Sequence, residues 1–310
     1  MKYVPHLLYV VRKEKMYEKE IAELQRIIDE SSRIVFFGGA GVSTESGIPD
    51  FRSADGIYHQ KYKYSPEQVV SHSFFIKYPE AFYEFYKEKM MMLDAKPNPA
   101  HLKLAELEAA GKLQAVVTQN IDGLHQAAGS KKVYELHGSI HRNYCMKCGK
   151  FYDAEYVKKS EGVPHCSCGG EIKPDVVLYE EQLDQETLEA SVLAISRADM
   201  LIVAGTSLTV YPAAGLINYY RGSRLVLINR DAATIVGDGD GVVGVNGHLD
   251  MAAVTGQCLV DRVVHNLVNQ VMETARARGA DIHARTLANR FKAFEDLNVR
   301  AVVMIRFCCH

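Results

Sequence analysis

The sequence predicts a doubly wound α/β protein: a parallel sheet with helices on both faces and a smaller module inserted beside it. Three observations carry that expectation. Four apolar runs, Arg33–Phe37, Gln114–Thr118, Met200–Ala204 and Leu225–Ile228, lack apolar/polar alternation, as strands buried on both faces of a parallel sheet do. Helical periods lie between them, for example in Pro99–Ala110 and Thr187–Arg197. The first run ends in Gly38-Gly39-Ala40-Gly41, and a strand passing into a glycine-rich turn opens a nucleotide-binding α/β unit. In a Rossmann-like sheet of this kind the ligand lies beyond the carboxyl ends of the strands.

In chain order, residues 1–15 form an N-terminal extension whose apolar stretch HLLYVV is too short for a membrane helix. Residues 17–30 place Ile21, Leu24, Ile27 and Ile28 at helical spacing. The Rossmann-like domain is then discontinuous, comprising 16–55, 98–140 and 175–245. Residues 56–97, rich in Tyr, Phe and Lys, read as short helices, and residues 141–174 carry paired cysteines. Together these two insertions form the small module. Val242–Val245 suits a last strand, and 246–278 suits a closing helix, with Leu259, Val263, Leu267 and Val271 on one face of 259–277. Residues 279–310 are an unassigned extension outside the fold, ending in the β-prone VRAVVMIRFCC.

Composition narrows the function classes. The 310 residues carry 36 Lys+Arg against 38 Asp+Glu, a formal net charge of −2, with 47% hydrophobic and 24% charged residues. Disordered and collagen-like chains are excluded. Near-neutral charge gives no electrostatic case for nucleic-acid binding, which draws its affinity from phosphate neutralisation. No run approaches the roughly 18 apolar residues of a membrane span, so a cytoplasmic protein without a membrane partner is expected.

Four of the seven cysteines form the pairs Cys145-x-x-Cys148 and Cys166-x-Cys168, 17 residues apart. Each pair can grip one side of a tetrahedral ion, and four thiolates leave no position for water. A structural Zn2+ holding a module too small for its own core is the expected occupant. His141 and His165 are bystanders on this view.

A glycine turn alone is weak. A dinucleotide-dependent dehydrogenase would hold the ribose with an acidic residue about 20 positions on, where this chain has Tyr58–Tyr64 (YHQKYKY). Hydride transfer is therefore disfavoured. More distinctive is the continuation from Gly39 to Ser53, GAGVSTESGIPDFRS, followed by Thr118–His125 (TQNIDGLH) and His137-Gly138-Ser139. Together with the cysteine pairs, Gly205-Thr206-Ser207 and Asn229, these motifs resemble the sirtuin family of NAD-dependent protein deacylases, over roughly residues 16 to 232.

The resemblance implies an enzyme that passes the acyl group of an acetylated protein or peptide to ADP-ribose, with NAD as co-substrate and nicotinamide released. It implies His137 as the base on the ribose hydroxyls, with Asn120 also in the catalytic group. A histidine titrating near neutral pH suits that task. Gln119, Asn120, Ile121 and Asp122 would line the nicotinamide and ribose region. A helix N-cap would also account for Asn120 and Asp122. Phe51 would shield the reacting centre, Arg52 would offset pyrophosphate charge, and Asp50 would belong to the same cofactor set. Gly39, Ala40, Gly41 and Thr44 would bring backbone donors to the phosphates. Thr206, Ser207 and Asn229 would hold the adenosine half.

Lys173–Glu181 would be the substrate strand, with the acyl-lysine entering past Val176, Val177 and Tyr179 and a peptide adding to its edge. The family commonly has Arg at the position of Lys173 and Phe-Gly-Glu at Tyr179-Glu180-Glu181. Relatives that prefer succinyl or malonyl groups carry Tyr-x-x-Arg where this chain has Tyr86-Lys87-Glu88-Lys89. Lysine does not replace a bidentate arginine, so deacetylation is expected to dominate. Protein ADP-ribosyl transfer and a catalytically weak NAD-sensing module are the alternatives.

Overall fold

The computed structural model describes residues 18–51, 56–57, 64–229 and 302–307. Its main sheet has the order β3-β2-β1-β7-β8-β9. The strands are β1 (Ile34–Gly38), β2 (Leu113–Thr118), β3 (Val133–Glu135), β7 (Met200–Ala204), β8 (Arg224–Asn229) and β9 (Val302–Phe307). The first five run parallel, and β9 pairs antiparallel with β8. The four apolar runs read from sequence are β1, β2, β7 and β8.

Strand geometry explains why those runs do not alternate. Successive side chains point to opposite faces, and both faces are covered. Ile34 and Phe36 join Val116, Met200 and Ile202 in one cluster with Leu24, Ile27, Ile28, Leu104 and Leu107. These last come from α1 (Glu18–Glu30) and α5 (Pro99–Ala109). Val35, Phe37, Val117, Leu201 and Val203 join a second cluster. There they meet Ile195 of α8 (Gln185–Arg197) and Leu216 of a 3-10 helix, Ala213–Tyr219. The helix ends have local causes. Asn98 caps α5 by accepting from the Ala100 and His101 N–H groups, with Pro99 at the first helical position. Lys112 Nζ donates to the Ile28, Asp29 and Ser31 carbonyls, closing the carboxyl end of α1.

The small module joins the two insertions. From the first come α2 (Pro66–Val69), α3 (His72–Lys77) and α4 (Pro79–Phe85), the last running into a π-turn, Tyr86–Met90. From the second come β4 (Gly138–Cys145), β5 (Phe151–Tyr152), α7 (Ala154–Lys159) and β6 (Ile172–Val176), with sheet order β5-β4-β6. A short helix, α6 (Leu124–Ala127), follows β2 in the main domain. The module core is aromatic: Phe75, Phe82, Tyr83 and Tyr86 are buried against Ile140, Ile172 and Val157. Tyr83 Oη donates to the Ile172 carbonyl, tying the helical insertion to the cysteine-bearing one.

Two sequence expectations change. Residues 279–310 are not wholly outside the fold, because 302–307 form the β9 edge strand. Its β-branched and aromatic run VVMIRF extends the ladder opposite β8. The substrate segment is also shorter as a strand than Lys173–Glu181, since β6 ends at Val176. The backbone then leaves the sheet: Tyr179 N–H donates to Val70 O, and His72 N–H donates to Tyr179 O. The expected strand Val242–Val245, the closing helix in 246–278, and residues 1–15 lie outside the described residues. Among the described residues no helix is long and apolar enough to cross a membrane.

Candidate active site at the carboxyl ends of the parallel strands

The turns after β1 and β7 touch through their backbones. Gly41 N–H donates to Gly205 O at 2.8 Å, and Gly39 N–H donates to Ala204 O at 3.2 Å. A Cβ on Gly41 would stand 2.8 Å from Gly205 Cα, and one on Gly39 would stand 2.8 Å from Thr206 Cβ. Glycine is required here for close approach. The Gly41 N–H is thus engaged with Gly205 O across the two turns. Thr44 likewise turns inward, its Oγ1 donating to Gly41 O at 3.0 Å. Ala40 opens the 3-10 turn Ala40–Val42, and Asp50 O accepts from Ile57 N–H. Arg52 lies outside the described residues.

Polar groups from the other strand ends meet the same place. Gln119 Nε2 donates to Thr206 Oγ1 at 3.0 Å, and Asn229 Nδ2 donates to Thr206 O at 2.8 Å. Ser207 Oγ lies 2.8 Å from Thr209 Oγ1. The ends of β2, β7 and β8 are thereby joined by neutral polar groups.

Asp122 is held at both carboxylate oxygens. Oδ1 accepts from the Leu124 N–H at the start of α6, and Oδ2 accepts from Ser43 Oγ at 2.6 Å. Asn120 Nδ2 donates to the same Ser43 Oγ at 3.0 Å. Behind them His101 Nδ1 accepts from the Asn98 N–H, which leaves the proton on Nε2, 3.5 Å from Ser43 Oγ. Ser43, His101, Asn98 and Asn120 are all buried. Phe51 and Ile121 pack against the apolar cluster of the small module, so they face the junction between module and sheet.

His137 follows β3, and its Nδ1 lies 3.0 Å from Gln119 O. A carbonyl only accepts, so Nδ1 carries the proton and Nε2 is the basic nitrogen. Burial lowers the His137 pKa, with the bond to Gln119 opposing. The imidazole is therefore neutral at physiological pH and able to accept a proton. The His137 carbonyl accepts from Val177 N–H at 3.0 Å. Val176 is buried, Val177 half-buried and Tyr179 38% exposed, and β6 is an edge strand of its sheet. Tyr86 stands apart in the module core, stacked on Phe82 at 5.4 Å. Its Oη has no partner among the described residues.

The four cysteine sulfurs lie within 4.8 Å of one another. Cys145 Sγ is 3.5 Å from Cys168 Sγ, and Cys148 Sγ is 3.6 Å from Cys166 Sγ. Four sulfurs each about 2.3 Å from a tetrahedral ion would be about 3.8 Å apart, so the set fits a metal ion. The Cys168 backbone donor, helped by the Tyr152 hydroxyl, pushes the Cys166 thiol down to about 5. His141 and His165 are spent on the Asp122 and Val163 carbonyls.

Sequence reasoning missed Ser43, Asn98 and His101 as members of the constellation. Ser43 stood inside the GAGVS motif, and Asn98-Pro99 marks a helix start, but neither spacing shows that they meet Asp122. His125 was noted only as part of its turn. It is buried against Phe36 and His101, with ring centroids at 5.9 and 4.7 Å.

A doubly wound α/β sheet with polar groups gathered at its carboxyl ends, and a four-cysteine module beside them, has the architecture of a nucleotide-site protein. The Sir2 family model matches residues 39–212, and the chain belongs to that family. It is 63% identical over 228 residues to an NAD-dependent protein deacetylase of Clostridium acetobutylicum, covering 72% of this chain and 93% of that one. An enzyme of the same name from Staphylococcus aureus is 43% identical over 245 residues, covering 78% and 99%. Among solved structures, a Sir2 with a deacetylated p53 peptide and 3′-O-acetyl-ADP-ribose has a TM-score of 0.64 at 46% identity, covering 68% and 87%. A Sir2 bound to acetylated peptide has a TM-score of 0.63 at 39% identity, covering 83% and 98%.

The buried histidines make stability depend on acid. Burial, opposed by Asp122, lowers the His101 pKa to about 4, and burial with the neighbouring His101 lowers His125 to about 3. An unfolded histidine titrates near 6.5. The unfolded chain therefore binds more protons below that pH, and stability is full above about 6.5 and is lost as pH falls towards 4 and 3. In denaturant titrations between pH 6.5 and 4, His125→Leu is expected to flatten the loss by about 1.4 kcal/mol per pH unit. Equal slopes in the two proteins would refute the buried, neutral state of His125.

Proposed function

We propose that this protein is an NAD-dependent protein-lysine deacetylase, acting on acetylated protein or peptide. The observation that carries the proposal is the position of His137. Its tautomer is set by Gln119 O, leaving Nε2 basic, and its own carbonyl is bonded to Val177, just past the strand that would receive the substrate. The relatives named above, and the peptide and ADP-ribose of the solved Sir2 complexes, support the same reading.

The residues present fit NAD. The glycine contact at Gly39, Gly41 and Gly205 leaves no room for side chains, and Gln119, Thr206, Ser207 and Asn229 offer neutral polar groups in place of an acidic ribose ligand. When bound, NAD supplies an electrophilic ribose carbon as nicotinamide departs, and the hydroxyls that accept the acetyl group. The chain does the rest. Asn120 and Asp122, braced by Ser43, present an amide and a carboxylate at the nicotinamide side. Phe51 and Ile121 exclude water there. His137 takes a proton at Nε2, and the β6 edge binds the peptide through backbone pairing. Arg52 is assigned to the pyrophosphate.

The cysteine set would hold a structural Zn2+, because all four ligands come from protein and no position is left for catalysis. Such thiolates persist in a reducing compartment, which supports a cytoplasmic location. Lys89 supports the acetyl preference, since its Nζ is already paired with Glu88 Oε1 at 2.9 Å.

Nicotinamide release from NAD is expected only when an acetylated peptide is present. His137→Ala should lower turnover by about 100- to 10,000-fold. Peptide-independent labelling of protein would instead support ADP-ribosyl transfer, and no release at all an NAD-sensing module. On one peptide, acetyl-lysine should react faster than succinyl-lysine at equal concentration; equal or inverted initial rates would sink the acyl assignment. Purified protein should hold one zinc per chain, and its removal by chelator should lower the thermal midpoint. An unchanged midpoint in metal-free protein would reject the structural role.

A further inference from the structure

Two carboxylates from different parts of the fold converge on one arginine. Arg142 Nη1 donates to Glu135 Oε2 and Arg142 Nε donates to Asp175 Oδ2, both at 2.7 Å. Glu135 ends β3, two residues before His137. Asp175 lies in β6, next to Val176. Between them the β4–β6 ladder is interrupted: Ser139 pairs with Asp175, and regular pairing resumes only at Asn143 with Pro174. Arg142 occupies that interruption, where backbone hydrogen bonds do not hold the strands in step. Glu135 is largely desolvated, its side chain 7% exposed, whereas Asp175 is 43% exposed. A planar guanidinium directs two donors along fixed lines, which an ammonium does not.

We infer that Arg142 is a positioning residue: through Glu135 and Asp175 it holds the His137 strand end and the substrate edge strand at one separation. It is not a catalytic group, since it acts through the two carboxylates. What it protects is the Val177 N–H to His137 O contact of 3.0 Å, the direct backbone link between base and peptide-binding edge. Its kinetic consequence rests on the deacetylase reading, in which the acetyl-lysine and the imidazole must align. A misplacement of about 1 Å at a reacting centre costs about 100-fold in rate.

Asp175→Ala severs one arm while leaving the desolvated Glu135 paired, so the fold is retained. Its turnover on acetylated peptide should fall about ten-fold, a partial misalignment, with KM for NAD unchanged. Asp175→Asn keeps an acceptor oxygen and should recover part of the loss. Arg142→Lys should lose as much, and the double variant Arg142→Lys/Asp175→Ala no more than the worse single, as expected of groups sharing one contact. Independently of turnover, hydrogen exchange of the Val177 amide should speed up about ten-fold in Asp175→Ala, with β2 amides unchanged. Variants that match wild type in both turnover and Val177 exchange, or losses that multiply in the double variant, would overturn the clasp. If wild-type protein releases no nicotinamide with peptide, the functional reading fails, and Val177 exchange still decides the clasp.

Discussion

Between Glu135 and Gly138 the chain passes from one sheet to the other through a two-residue turn, Leu136-His137. β3 ends at Glu135, and β4 of the small module begins at Gly138. The crossing needs φ of +75° at Gly138, and a Cβ there would lie 1.9 Å from Asp175 O. Only glycine meets both demands. Because the junction is so tight, His137 has no freedom to be anywhere but between the nucleotide-binding sheet and the module. Its ring is tied to the sheet through Gln119 and its carbonyl to the module through Val177. The position of His137 is thus a property of the backbone crossing, and side chains refine it.

The second close approach, between the turns after β1 and β7, does comparable service for the ends of the parallel strands. Gly41 and Gly205 interlock, so the strand ends converge and bring Thr206, Gln119 and Asn229 within hydrogen-bonding distance. Neutral donors and acceptors therefore gather at these strand ends. Ser43, just past the same turn, reaches back to Asp122 and Asn120. Its hydroxyl must donate to the carboxylate, since the Asn120 amide donates to it, and this fixes the polarity of the group.

Much of this was legible in the sequence where the physics is local. Unalternating apolar runs mark strands with two buried faces, and cysteine spacing marks a metal grip. Contacts between residues far apart in sequence were not legible. His101 is 58 residues from Ser43, and nothing at Asn98-Pro99 beyond a helix start says what the helix end faces. Arg142 reads as one charge among many until Glu135 and Asp175 are seen on either side. The β9 strand is a similar case: VVMIRF shows β propensity, but only the free edge of β8 tells where it pairs. Tyr86, whose motif position suggests the acyl pocket, is held in an aromatic stack that the same tyrosine-rich sequence builds.

The segment after β6 shows how a departure from the family pattern is accommodated. Glu180 has φ of +77° where the family commonly has glycine. A non-glycine residue in that region carries strain of about 1 kcal/mol or more. The Glu180 carboxylate accepts from the Ser73 N–H at 2.9 Å and from Ser73 Oγ at 2.5 Å, and those donors hold its pKa down. Glu181 continues the arrangement: burial opposes its charge, yet bonds from Leu178 N–H, His72 and Lys173 keep it ionised. The turn is therefore set by two anchored carboxylates acting against α3, where glycine alone would leave it free to move. That anchoring leaves Tyr179 exposed on a braced support beside the β6 edge of the module sheet.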